Sequence, residues 1–74
     1  MSRNGRAMQL RHLEQAQQHI TEGERRIANQ EERIARLGSH GHRVVEAKRI
    51  LDTFRVSQVL FISHRDLILE ELEQ

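Results

Sequence analysis

The chain has 74 residues, with 12 basic and 11 acidic side chains and neither cysteine nor proline. This length supports one small domain, and such domains often need a disulfide, a metal or self-association to be stable. The lack of cysteine excludes disulfides and thiolate metal sites, and the near balance of charge argues against a protein dedicated to binding phosphate backbones. No segment approaches the ~20 apolar residues that span a bilayer, so we expect a soluble, cytoplasmic protein with no membrane partner.

A first helix is predicted over about residues 6–37. Small or apolar residues, with two glutamines among them, recur there in alternating steps of three and four, which is typical of a coiled-coil seam: Gln9, Leu13, Ala16, Ile20, Gly23, Ile27, Gln30, Ile34 and Leu37. The flanking positions are mostly glutamate, glutamine and arginine.

The segment 38–42, Gly-Ser-His-Gly-His, is the predicted turn. One continuous helix would have to tolerate Gly38 and Gly41 in its interior, at a cost of about 1 kcal/mol each. We expect Gly38 to adopt the left-handed conformation that ends the first helix. Ser39 or His42 is expected to cap the second helix.

A second helix is predicted over about residues 43–73, with its own seam: Val44, Ala47, Leu51, Phe54, Gln58, Phe61, Arg65, Ile68 and Leu72. The fold class is therefore all-α, an antiparallel two-helix hairpin forming a single coiled-coil-like domain over residues 1–74. Pairing residues whose numbers sum to 81 brings both seams together and sets Gly23 opposite Gln58. Gly23 either allows a close approach to the phenylalanine rings of the second helix or is merely a weak point in the first.

The second helix is apolar on more than one face. At 100° per residue a second set of apolar side chains points away from the seam or lies along its flank: Val56, Val59, Leu60, Ile62, Leu67 and Leu69. Burying such a side chain gains about 1.5 to 3 kcal/mol. We expect a homodimer that packs second helix against second helix in a four-helix bundle, the alternative being a groove for a helix of another protein.

Arginines concentrate toward the turn end, so binding of nucleic acid is the alternative function: Arg25, Arg26, Arg33, Arg36 and Arg43. Glutamates lie among them, and we expect helical ion pairs such as Glu22 with Arg26 and Glu32 with Arg36. A self-paired surface is the favoured interpretation.

No residue pattern indicates an enzyme. The triplet at His64, Arg65 and Asp66 matches a protein-kinase catalytic loop in three letters only, without the asparagine that should follow or a glycine-rich nucleotide loop. The five histidines lack the inward-facing spacing of a metal site. We therefore expect no catalytic residue, no cofactor and no metal.

The segments "HLEQAQQHITEGERRIANQEERIARL", "GH", "AKRILDTF" and "HRDLILEEL" resemble a set of small, arginine-rich, uncharacterised bacterial helical-hairpin proteins. These often follow Gly-His with a capping Asp-Thr, where this chain has Arg43 and Val44. The resemblance implies the hairpin fold and brings no activity. The function predicted from the sequence is a non-enzymatic protein-protein interaction or regulatory module.

Overall fold

The computed structural model describes residues 3–74, with side chains described from Gly5 onward. It contains two helices, α1 over Arg3–Leu37 and α2 over Gly41–Glu73, which pack against each other. No strand occurs within residues 3–74. The Cα atoms fill a rod of 56 × 14 × 13 Å, since the chain folds back once and both helices run its length. The predicted helical hairpin is confirmed.

The turn between the helices is shorter than predicted. Gly38 has a φ of 60° and ends α1 in the left-handed conformation, as expected. Gly41, however, is already the first residue of α2, so only residues 38–40 connect the helices.

The predicted caps of α2 are wrong. Its N-cap residue is His40, which makes no side-chain capping bond. The His40 ring Nδ1 instead bonds the carbonyl of Leu37, and the His40 backbone N–H donates to the same oxygen at 3.3 Å. Both bonds satisfy a carbonyl that the end of α1 leaves without a helical partner. His40 therefore terminates the first helix with its ring and N–H, while its carbonyl accepts the first hydrogen bond of α2, from the Val44 N–H at 3.1 Å.

The core is a thin seam between the helices. Its buried apolar side chains are Ala16, Ile20, Ala47, Leu51 and Ile68, all at positions of the two predicted seams. Gly23, Gln30 and Gln58 of the seams are also buried, whereas the remaining seam residues, including both phenylalanines, are only partly buried. A pair of helices has no third element to enclose these side chains, so the hairpin alone buries little of its apolar surface.

Two glutamines are buried among these apolar residues and tie the helices together. Gln30 Nε2 donates to the carbonyl of Ala47 at 2.9 Å, and Gln58 Nε2 donates to the carbonyl of Ile20 at 2.9 Å. Each bond crosses from one helix to the backbone of the other. The two bonds therefore favour one register of α1 against α2.

Gly23 provides the space for the Gln58 amide. An added Cβ at Gly23 would stand 1.8 Å from Gln58 Oε1 and 2.9 Å from Gln58 Cδ. The predicted pairing of Gly23 with Gln58 is thus confirmed. The group that fills the space is an amide rather than the predicted phenylalanine ring.

Candidate protein interface

The apolar side chains that the sequence assigned to an interface all lie exposed on α2. We refer to this surface as the α2 apolar strip, which comprises Val56, Val59, Leu60, Ile62, Leu67 and Leu69. Leu60 is 64% exposed, Val56 and Val59 are each 62% exposed, and Leu67 is 53% exposed. Ile62 and Leu69 lie along one edge of the strip and are each 36% exposed.

The strip lies on the side of α2 that faces away from α1. Residues of α2 that are buried against α1 are Ala47, Leu51, Gln58 and Ile68. Val56 and Val59 stand two and one positions from Gln58, about 200° and 100° around the helix from it. One helix in contact with one partner cannot cover both sets, so α1 leaves the strip in solvent.

The total exposed area supports the same conclusion. The chain exposes 5936 Å², whereas a compact monomer of its mass is expected to expose about 4700 Å². The excess of about 1200 Å² exceeds the ~800 Å² that one partner buries in a standard protein interface. An isolated hairpin therefore exposes enough additional surface to form an interface of standard size.

Four further exposed apolar residues were missed by the sequence analysis. Val45 and Ile50 are 55% and 45% exposed on α2, and Met8 and Leu10 are about half exposed on α1. Val45 stands fourteen residues before Val59, so it has the same heptad position and extends the strip toward the turn. That spacing would have identified it.

The five arginines named as possible nucleic-acid contacts are all exposed. The predicted pairs of Glu22 with Arg26 and of Glu32 with Arg36 are wrong, because neither is among the ion pairs of the described residues. A bridge between the helices forms instead, from Arg55 to Glu31 at 3.8 Å. Both of its side chains are more than half exposed, so it contributes little stability.

Three of the five histidines have separate local contacts rather than a common centre. His40 bonds the end of α1, His12 Nδ1 lies 3.3 Å from Gln9 Oε1, and the His19 ring packs on Phe61 with centroids 5.4 Å apart. Among the described residues no three histidine, aspartate or glutamate side chains are grouped as a metal ion requires. The histidine contacts indicate packing and helix termination.

A groove of about 420 Å³ lies between the helices, beside the Arg55–Glu31 bridge. Ile34 and Leu51 contribute its apolar lining, and Lys48 and Asp52 stand at its rim. Charges of both signs line this groove, which offers no preference for an anion or a cation. The α2 apolar strip remains the better candidate for a functional surface.

Neither described helix combines the length and apolar composition needed to cross a membrane. Comparison of the chain with models of protein families, with curated proteins and with solved structures finds no significant match. The likeness to small arginine-rich bacterial hairpin proteins stays a prediction.

Proposed function

We propose that the chain is a non-enzymatic interaction module that associates with a second copy of itself through the α2 apolar strip. The two hairpins pack α2 against α2, which gives a four-helix bundle with both α1 helices on the outside. The observation that supports this arrangement is the exposure of Val56, Val59 and Leu60, at 62%, 62% and 64%, opposite the face that α1 covers.

A second copy is the partner that the chain itself can provide in the required shape. The strip follows one long helix, and α2 of another hairpin presents the same length and the same apolar residues. Transfer of the exposed part of each strip side chain out of water gains about 1 to 2 kcal/mol. Both copies contribute this gain, which offsets the loss of translational and rotational freedom on association.

The test is replacement of Leu60 by glutamate, which places a charge at the centre of the proposed interface. Sedimentation velocity at micromolar concentration is expected to show a dimer for the unmodified chain and a monomer for Leu60→Glu. Leu10→Glu is the matched control, because Leu10 is a leucine 48% exposed on α1. This control is expected to stay dimeric.

Two results would contradict the proposal. If Leu60→Glu stays dimeric, the interface lies elsewhere. If the unmodified chain is a well-folded monomer at 100 µM, a requirement for a second copy is refuted, and the strip is then available to a helix of a different protein.

Binding of nucleic acid is a second candidate, favoured by one observation. The glutamates expected to pair with Arg26 and Arg36 do not do so among the ion pairs of the described residues, so these two exposed guanidinium groups are available to phosphate oxygens. Fluorescence anisotropy with a short duplex tests it. Binding that falls steeply between 50 and 200 mM salt, and that Arg26→Gln with Arg36→Gln abolishes, would support it. Dimerisation through the strip is expected to weaken far less over the same range, because apolar burial rather than charge supplies most of its stability.

A further inference from the structure

The two halves of α2 carry opposite charge. From Gly41 to Ser57 there are four basic residues against two acidic ones, and from Gln58 to Glu73 there is one arginine against four acidic residues. The strip lies along this same helix, so any helix that covers the strip also comes close to both charged ends.

Contacts within the hairpin leave this asymmetry in place. Arg65 pairs with Asp66 at 2.9 Å, and Glu71 accepts a hydrogen bond from Gln9 of α1. Among the ion pairs of the described residues neither Glu70 nor Glu73 has a partner, and both are exposed. These two carboxylates also lie at the carbonyl end of the helix, where negative charge is unfavourable.

The first half of α2, from Gly41 to Ser57, keeps a positive charge when the ion pair within it is taken into account. Arg49 pairs with Glu46 at 3.6 Å, which leaves Arg43 and Lys48 exposed beside a single acid, Asp52. The first turn of α2 also has no acidic residue, so nothing within that turn balances the positive end of the helix dipole. The beginning of α2 is positive and its end is negative.

From this charge distribution we infer that the second copy packs with its α2 antiparallel to the first. Parallel helices would set Glu70 and Glu73 against the same residues of the partner and would bring two carbonyl ends together. Antiparallel helices set the acidic end of each copy against the basic end of the other, which is the favourable arrangement. This inference rests on the proposed self-association.

The position of the strip locates the two-fold axis. The strip runs from Val56 to Leu69 and is centred near Ile62, whereas α2 as a whole is centred on Ser57. An axis that crosses α2 close to Leu60, between these two centres, lets each copy cover the strip of the other and also gives the two helices a long overlap. The axis is then perpendicular to the helices, and the two turns lie at opposite ends of the assembly.

Distances between spin labels distinguish the two orientations. The chain has no cysteine, so His42→Cys and Gln74→Cys each give one labelled site, at the two ends of α2 and away from the strip. At ~1.5 Å per residue an antiparallel dimer separates the two residue-42 labels by about 55 Å and the two residue-74 labels by about 45 Å. A parallel dimer places both pairs within about 20 Å, since packed helices lie about 8–10 Å apart.

Pulsed electron paramagnetic resonance on each variant is expected to give the two long distances. A mixture of the two variants is expected to add one short distance, under about 20 Å, between residue 42 of one copy and residue 74 of the other. Short distances in both single-variant samples, from protein of dimeric mass, would overturn the antiparallel orientation and leave self-association intact. A monomeric mass with no interspin distance would overturn the self-association itself.

Removal of the acidic end gives a second, independent readout. The double variant Glu70→Gln with Glu73→Gln keeps helix-forming side chains and deletes two charges. An antiparallel dimer loses attraction, so its Kd is expected to rise about threefold to tenfold. A parallel dimer would lose repulsion, and its Kd would fall. Because the two orientations predict changes of opposite sign, a fall in Kd contradicts the inference.

Discussion

Replacement of Gly23 by alanine has two opposite effects on stability. It improves the helix propensity of α1, but it disrupts the packing of the Gln58 amide. In a solvent-exposed helix this change stabilises by about 1 kcal/mol, because glycine is the poorer helix former. In this hairpin the new methyl group would lie 1.8 Å from Gln58 Oε1, well inside van der Waals contact. The Gln58 amide must therefore move.

Movement of the amide breaks the bond from Gln58 Nε2 to the Ile20 carbonyl, which contributes about 0.5 to 1.5 kcal/mol. Gln58 is only 8% exposed, so a displaced amide that stays inside loses about a further 1 to 3 kcal/mol as an unpaired donor. After subtraction of the gain in helix propensity, we expect Gly23→Ala to lower the free energy of unfolding by about 0.5 to 3.5 kcal/mol.

Urea denaturation followed by circular dichroism measures this change, at one fixed protein concentration because self-association adds to the apparent stability. Gly41→Ala is the matched control, since Gly41 is likewise helical without a positive φ, at the start of α2, and has no atom within 4 Å of its added Cβ. Gly41→Ala is expected to leave the free energy of unfolding unchanged or to raise it slightly. In a Gln58→Ala background, Gly23→Ala is expected to become stabilising, so the coupling free energy between the two positions is expected to be at least about 1.5 kcal/mol. Equal stabilisation by Gly23→Ala and Gly41→Ala would refute the role assigned to the Gly23–Gln58 contact.

Three further changes test the turn and the core, each by urea denaturation under the same conditions. Gly38→Ala is expected to cost about 1 to 2 kcal/mol, because a side chain is strained at a φ of 60°; no loss would mean that the turn rearranges freely. Ile68→Ala removes a side chain that is 4% exposed and is expected to cost about 2 to 4 kcal/mol, and a loss under 1 kcal/mol would show that the end of the hairpin is frayed. Gln30→Leu is expected to change stability by less than about 1 kcal/mol, because the Ala47 carbonyl that Gln30 bonds lies inside α2 and also has a helical donor. A large loss would instead make that bond a main determinant of the fold.

Most of the fold was predictable from the sequence, because heptad spacing reflects which side of a helix is covered. The seams, the left-handed Gly38 and the pairing of Gly23 with Gln58 all follow from spacing and residue type. The spacing also identifies the side of α2 that has no partner within the chain. The exposure of Val56, Val59 and Leu60 agrees with it.

Other features were not predictable, because they depend on where side-chain ends meet. A sequence does not show that a histidine ring turns back onto the Leu37 carbonyl, so the start of α2 was placed two residues too late. Ion pairs along α1 were expected from spacing alone. The side chain of Glu31 instead reaches across to Arg55, because the neighbouring helix presents a charge that local spacing does not include.

The sequence by itself determined two helices, one reversal and the surplus of apolar residues on α2, since these depend on periodicity and glycine content. The tertiary structure alone decided that the Gln58 amide, and not a phenylalanine ring, fills the space at Gly23, and that Gln58 Nε2 donates to the Ile20 carbonyl. It also decided how much of each apolar side chain remains in water. Heptad periodicity determines the direction in which each side chain points from the helix axis. The burial of a side chain depends also on the distance to the neighbouring helix, and that distance is set only when the two helices pack together.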